Sequence, residues 1–97
     1  MIELRFEWDK NKNKSNQKKH GVSFSEARTA FYDESALEFF DPDHSEDEDR
    51  FILLGSSFNL KTLVICHCYR EDETVIRIIS ARKADSIEEQ TYWSKRK

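Results

Sequence analysis

The sequence predicts an α+β domain in which two N-terminal helices and a C-terminal helix pack against an antiparallel β-sheet. Three observations carry this: a short alternating run near the start, two successive helix-start signals behind it, and three runs rich in Val, Ile and Leu before a last helix signal.

Leu4, Phe6 and Trp8 alternate with Arg5 and Glu7, the period of a half-buried strand. Asp9 then stands as an N-cap and Gly21 as a C-terminal stop, framing a helix to His20. Lys10 to Lys19 contains no apolar residue, so no buried stripe holds that helix; it must lie on the surface or form incompletely. Ser23 and Glu26 have capping-box spacing, and Phe24, Ala27 and Phe31 recur at helical intervals, so a second helix follows at once. Ala36 to Phe40 reads as a strand entering the acidic loop Asp41 to Asp49, where Pro42 has no N–H for a ladder. Phe51 to Gly55, Leu60 to Tyr69 and Thr74 to Ala81 are three more strands, with links around Ser56 to Asn59 and Glu71 to Glu73 that suit consecutive antiparallel pairing. Asp85 or Ser86, each with a Glu three residues later, opens a last helix to about Trp93.

A chain of 97 residues with only two Gly and one Pro, no repeat and no low-complexity tail reads as a single domain over 1–97. Apolar runs such as Leu63 to Cys66 are far too short to span a bilayer, and the start has neither the basic nor the apolar region of a secretory signal. A cytoplasmic protein with no membrane partner and reduced Cys66 and Cys68 is expected. The net charge of -3 is unevenly spread. Asp33 to Asp49 holds nine carboxylates and no Lys or Arg, and the remainder carries all sixteen basic groups against ten acidic ones. Such a dipolar molecule suits a polyanion on one face and a basic partner on the other.

Several segments resemble, in order, the signature of the BrnT toxin family. They are Phe6-Glu7-Trp8-Asp9, Lys12, Asn16, and Lys19-His20-Gly21-Val22-Ser23-Phe24 with Glu26-Ala27. Then come Asp41-Pro42-Asp43-His44-Ser45, Glu48-Asp49-Arg50-Phe51, Gly55, and Arg77-Ile78-Ile79-Ser80-Ala81-Arg82-Lys83-Ala84. The resemblance runs from about residue 5 to the final helix, and Lys10 departs from the Pro common in similar proteins. It implies a RelE-like fold and metal-independent endonucleolytic cleavage of RNA that inhibits translation, with no cofactor. It also implies neutralisation by a ribbon-helix-helix antitoxin, with operator DNA reached only through that antitoxin.

Metal-free RNA cleavage needs charge stabilisation from Arg or Lys and proton transfer by a group such as His. Arg77, mid-strand in Val75-Ile76-Arg77-Ile78-Ile79, is an expensive charge unless it is paired or faces a cleft. Arg82 leaves the same strand with opposite parity, so the two share a site only if a bulge intervenes; otherwise Arg82 helps the last helix to dock. Lys19 and His20 close the first helix, where cations also complement the helix dipole; a titratable ring beside a fixed charge suits a general base. These four are the candidate catalytic residues. Lys12, Lys18, Arg50 and Tyr69 are candidate RNA contacts, with ion pairing to Glu48 the competing role for Arg50.

His67 shares a strand face with Leu63, Ile65 and Tyr69 and reads as a core histidine, while Cys66 and Cys68 point away from it, so the three form no metal site. His44, among Asp41, Asp43 and Glu46, reads as part of a solvated loop. A second function class, a non-catalytic antitoxin-binding module acting as transcriptional co-repressor, needs the same core. A small-molecule domain is disfavoured by the lack of a Gly-rich phosphate loop.

Overall fold

The structure, a computed structural model, describes residues 3–95. Met1 and Ile2, where the segment read for a targeting signal begins, lie outside them. In chain order the elements are β1 (Arg5–Glu7), α1 (Lys10–His20), α2 (Phe24–Thr29), a 3₁₀ turn (Ala30–Tyr32), β2 (Leu37–Phe40), and a second 3₁₀ turn (Pro42–His44). β3 (Arg50–Ser56), β4 (Thr62–Arg70), β5 (Val75–Lys83) and α3 (Ser86–Lys95) complete the chain. No helix among the described residues is long and apolar enough to cross a membrane.

The strands form one five-stranded sheet in the order β1-β5-β4-β3-β2. β2 to β5 are the antiparallel meander that the short links predict. The sheet is nevertheless mixed, because β1 pairs with β5 in parallel, Phe6 beside Ile76 and Glu7 beside Arg77. β5 ends the meander with a free edge; β1 occupies part of it, and the chain then crosses through α1 and α2 to reach β2 at the far edge.

Alternate strand residues face two different layers. Leu53, Leu63, Ile65, Ile76, Ile78 and Ala81 are buried against Val22, Phe24, Ala27 and Ala30 of the helical layer, with Phe6, Trp8 and Phe31 at the margin. This is the main core. The other face carries a second, smaller cluster at one end, where the fully buried Tyr92 of α3 packs on Leu54 and Val64 and donates its hydroxyl hydrogen to Asp33 Oδ2 at 2.6 Å. Asp85 and Glu88 cap α3 reciprocally, each carboxylate accepting the other residue's N–H at 2.8 and 2.9 Å. Among the described residues no other apolar cluster lies on that face, where Arg50 and Arg77 stand opposite the buried Cys68.

Helix α1 forms in full and lies on the surface, with the Asp9 carboxylate accepting from Lys12 N–H at 2.9 Å and Gly21 closing it at φ 71°. Its anchor is polar. Buried Asn16 donates from Nδ2 to the carbonyls of Val22 (2.9 Å) and Ala81 (2.7 Å), and its Oδ1 accepts from Ala81 N–H (3.1 Å). Because β1 pairs with β5 only as far as Arg77, the edge beyond lacks a strand, and the Asn16 amide satisfies Ala81 as a neighbouring peptide would. Asn13 Oδ1 accepts from Phe24 N–H at 2.9 Å and ties α1 to the start of α2. Ser23 caps α2 as its spacing predicts, but Glu26 does not complete the box: its carboxylate accepts from the Ser57 hydroxyl at 2.8 Å, pinning the β3–β4 turn.

Candidate active site

Regular alternation along β5 would put Arg77 and Arg82 on opposite faces. Cys66 pairs with Ser80 but His67 pairs with Ile78, so Ile79 is an extra residue and the alternation shifts by one. Arg77, opposite Cys68, and Arg82, opposite Val64, therefore stand on the same open face. Arg50 and Ile52 of β3 join it, opposite Cys68 and Cys66.

On this face lies a hollow of about 480 Å³, lined by Lys19 and His20 from α1, Asp41 and His44 from the acidic loop, Arg50 and Ile52 from β3, Val64 and Cys66 from β4, and residues 79–82 of β5. Its volume falls in the range of ligand clefts. The Gly21 stop ends α1 beside the β5 edge, which sets Lys19 and His20 against Ile79 and Ser80. An adjoining hollow along α1 adds Lys12 to the wall that Lys19 and His20 share.

Arg82 donates from both terminal nitrogens to Glu88, each at 2.8 Å, and so clamps α3 while also facing the hollow. Glu88 holds its guanidinium above the ordinary value, and Arg82 in turn holds the Glu88 carboxyl below the usual carboxylate range. Both stay charged at neutral pH. Arg50 is held loosely: its Nε is 3.9 Å from Glu48, whose other oxygen takes Arg70 at 3.2 Å. Lys19 and His20 have no side-chain hydrogen bond or ion pair among the described residues. Burial pushes the Cys66 thiol up, only partly offset by Arg50, so it is a neutral wall rather than a nucleophile.

Three sequence candidates lie elsewhere. Arg77 shares the open face but does not line the hollow; its Nη1 turns to Glu7 Oε2 on β1 at 2.7 Å, a pairing the parallel register makes possible. Tyr69 lies on the helix-facing side, where its hydroxyl donates to Glu38, and burial with that carboxylate pushes the phenol well up. Lys18 is exposed on α1 and lines neither hollow. His67 is fully buried on the helix-facing side, between the Ile65 carbonyl (3.1 Å) and Glu38 (2.7 Å) and against the Phe31 ring.

Two residues read from sequence as part of a solvated loop line the hollow instead: Asp41 and His44, with His44 Nδ1 2.9 Å from Asp41 Oδ2. Pro42 opens a 3₁₀ turn between them, and residues three apart on such a turn eclipse. That Asp-Pro-x-His spacing was the available signal. Among the described residues no group of three or more His, Cys, Asp or Glu is arranged to hold a metal ion.

The sequence model of the family described as the ribonuclease toxin, BrnT, of type II toxin-antitoxin systems matches residues 8–88. The chain belongs to the BrnT family. Its fold is similar to the crystal structure of the ribonuclease toxin BrnT from Brucella abortus, with a TM-score of 0.64 and 22% identity over 87% of this chain and 100% of that one. None of the curated proteins matches the chain. As a BrnT-family member it is a ribonuclease toxin of a type II toxin-antitoxin system, which makes RNA its substrate and an antitoxin its partner.

Proposed function

We propose that this BrnT-family toxin cleaves messenger RNA endonucleolytically in the hollow without a metal ion, stopping translation in the cytoplasm, on a scaffold of RelE-like kind. In the same reading a ribbon-helix-helix antitoxin neutralises it and alone carries the pair to operator DNA. The observation that supports the site is the gathering of Lys19, His20, Arg50 and Arg82 from three elements around one hollow on the sheet face opposite the helical layer.

Cleavage by the RNA's own ribose forms a bond from O2′ to phosphorus and breaks the bond from phosphorus to O5′. A proton leaves the 2′-hydroxyl and another reaches the departing 5′-oxygen. His20 takes the first proton at its ring nitrogen, while Lys19 and Arg82 neutralise the charge that gathers on the phosphoryl oxygens. Arg50 and Lys12 hold the neighbouring phosphates, and Lys18 adds to the attraction along α1. These side chains thus supply the charge stabilisation and the acceptor for the 2′ proton. Arg77 and Tyr69 receive no part in this step, since each is engaged by a carboxylate outside the hollow.

The test is cleavage of a labelled RNA by purified protein in excess chelator. Activity should persist, and a His20→Ala variant with unchanged melting temperature should lose at least about tenfold. Abolition by chelator refutes metal independence, and full activity of a stable His20→Ala refutes the site. Induction in cells separates the co-repressor reading: a nuclease causes growth arrest with RNA decay, relieved by the antitoxin, whereas a non-catalytic module causes neither.

A further inference from the structure

The acidic loop is closed at its base. Asp41 N–H donates to the Arg50 carbonyl at 2.8 Å; the Ser45 hydroxyl donates to the Asp41 carbonyl at 2.5 Å and accepts from Arg50 N–H at 2.9 Å. The 3₁₀ turn Pro42–His44 is thereby tied to the end of β3, and His44 lies at the wall of the hollow with an exposed ring. Within the pair the burial is unequal: the Asp41 side chain is 11% exposed and the His44 side chain 67%. A sunken carboxylate under an accessible imidazole, 2.9 Å from Nδ1, is the arrangement that orients a proton-transfer group.

We propose that His44 is a second catalytic residue, the acid that protonates the departing 5′-oxygen, and that Asp41 is its positioning residue. The assignment rests on the hollow being the cleavage site. A carboxylate accepts only, so Asp41 fixes the Nδ1–H tautomer and any proton exchanged with substrate moves at Nε2. The two imidazoles of the hollow have different neighbours: Nδ1 of His44 is held by the Asp41 carboxylate, whereas His20 has no carboxylate partner among the described residues. The ring oriented by a carboxylate is assigned the donor and the ring without one the acceptor. His20 accepts the 2′ proton as O2′ bonds to phosphorus; His44 gives its Nε2 proton as the bond from phosphorus to O5′ breaks. The products are a 2′,3′-cyclic phosphate and a 5′-hydroxyl, and exchange with water restores both rings.

The test compares two RNAs, one natural and one with the scissile 5′-oxygen replaced by sulfur, whose thiolate departs without a proton. His44→Ala and His44→Gln should lower kcat on the natural RNA by about 10²-fold or more and stay within about threefold of the parent on the sulfur RNA. Asp41→Asn should lower kcat on the natural RNA about tenfold, with KM and the sulfur reaction unchanged. His20→Ala should fail on both. Full activity of both His44 variants on natural RNA overturns the proposal, and so does an equal loss on the two substrates, which would mark a structural or binding role. If His20→Ala is impaired while the His44 variants are not, the site stands and only this assignment falls.

Discussion

Replacing Asn16 by Ala removes a polar clamp that fastens α1 to the sheet. Three hydrogen bonds go at once, to the Val22 carbonyl and to both backbone groups of Ala81. At about 1 kcal/mol each the loss is about 3 kcal/mol, with more to come from Ala81 N–H left buried without an acceptor. A domain of this size holds only about 5–15 kcal/mol in total, so the melting temperature should fall by roughly 12–24 °C. Asn16→Leu is the sharper variant because it keeps bulk and adds apolar surface. If α1 were held by ordinary hydrophobic packing, Leu would be tolerated; with no apolar residue between Lys10 and Lys19 it should lose as much as Ala. Urea denaturation followed by circular dichroism measures the loss, and amide exchange over Lys10–His20 should speed up before the rest of the domain. Either variant lying within about 0.5 kcal/mol of the parent would refute the polar-anchor argument.

A methyl group at Gly55 would meet the Ala30 carbonyl oxygen and Ala36 Cβ, each at 3.1 Å, so Gly55→Ala should cost about 1–3 kcal/mol in a urea melt. The β4–β5 turn holds Glu71, Asp72 and Glu73 in succession at φ 50°, 57° and 69°; Glu73→Gly should raise stability by about 0.5–1 kcal/mol, seen as a higher denaturation midpoint. Arg82 holds Glu88 below the usual carboxylate range, so the pair stabilises the fold above about pH 4.3, the unfolded value, and that contribution is lost as pH falls through the lower folded value. Both side chains are partly exposed, so Glu88→Gln should cost only about 0.5–1 kcal/mol at pH 7, and the gap from the parent should close in acid.

The features legible in sequence are those that a few neighbouring residues decide. Asp9, Gly21 and Ser23 bound the helices where their spacing placed them, and of the two starts open for the last helix the structure uses Asp85, because capping is a local contest for free backbone groups. The meander followed from short links in the same way. The parallel seat of β1 did not, since nothing within Arg5–Glu7 distinguishes the β5 edge from any other. The bulge at Ile79 was equally hidden: its run, Ile78-Ile79-Ser80, contains no Gly or Pro to mark a break. That one inserted residue decides whether Arg77 and Arg82 share a face, and parity alone left the question open. Arg77 was legible as a charge needing a partner, but the partner, Glu7, lies 70 residues away. His44 was obscured by composition, since an acidic loop reads as solvated until its closure onto Arg50 brings the turn back over the sheet.

The central claim is that the hollow on the open sheet face receives RNA. The most direct measurement is a backbone-amide NMR titration with an RNA oligonucleotide whose 2′-hydroxyls are methylated, so that it binds without being cut. Shifts should concentrate at His20, Arg50, Cys66, Ser80 and Arg82, with Phe31 and Tyr69 on the opposite side unmoved. Shifts centred on Phe31 and Tyr69 with the hollow silent would contradict it.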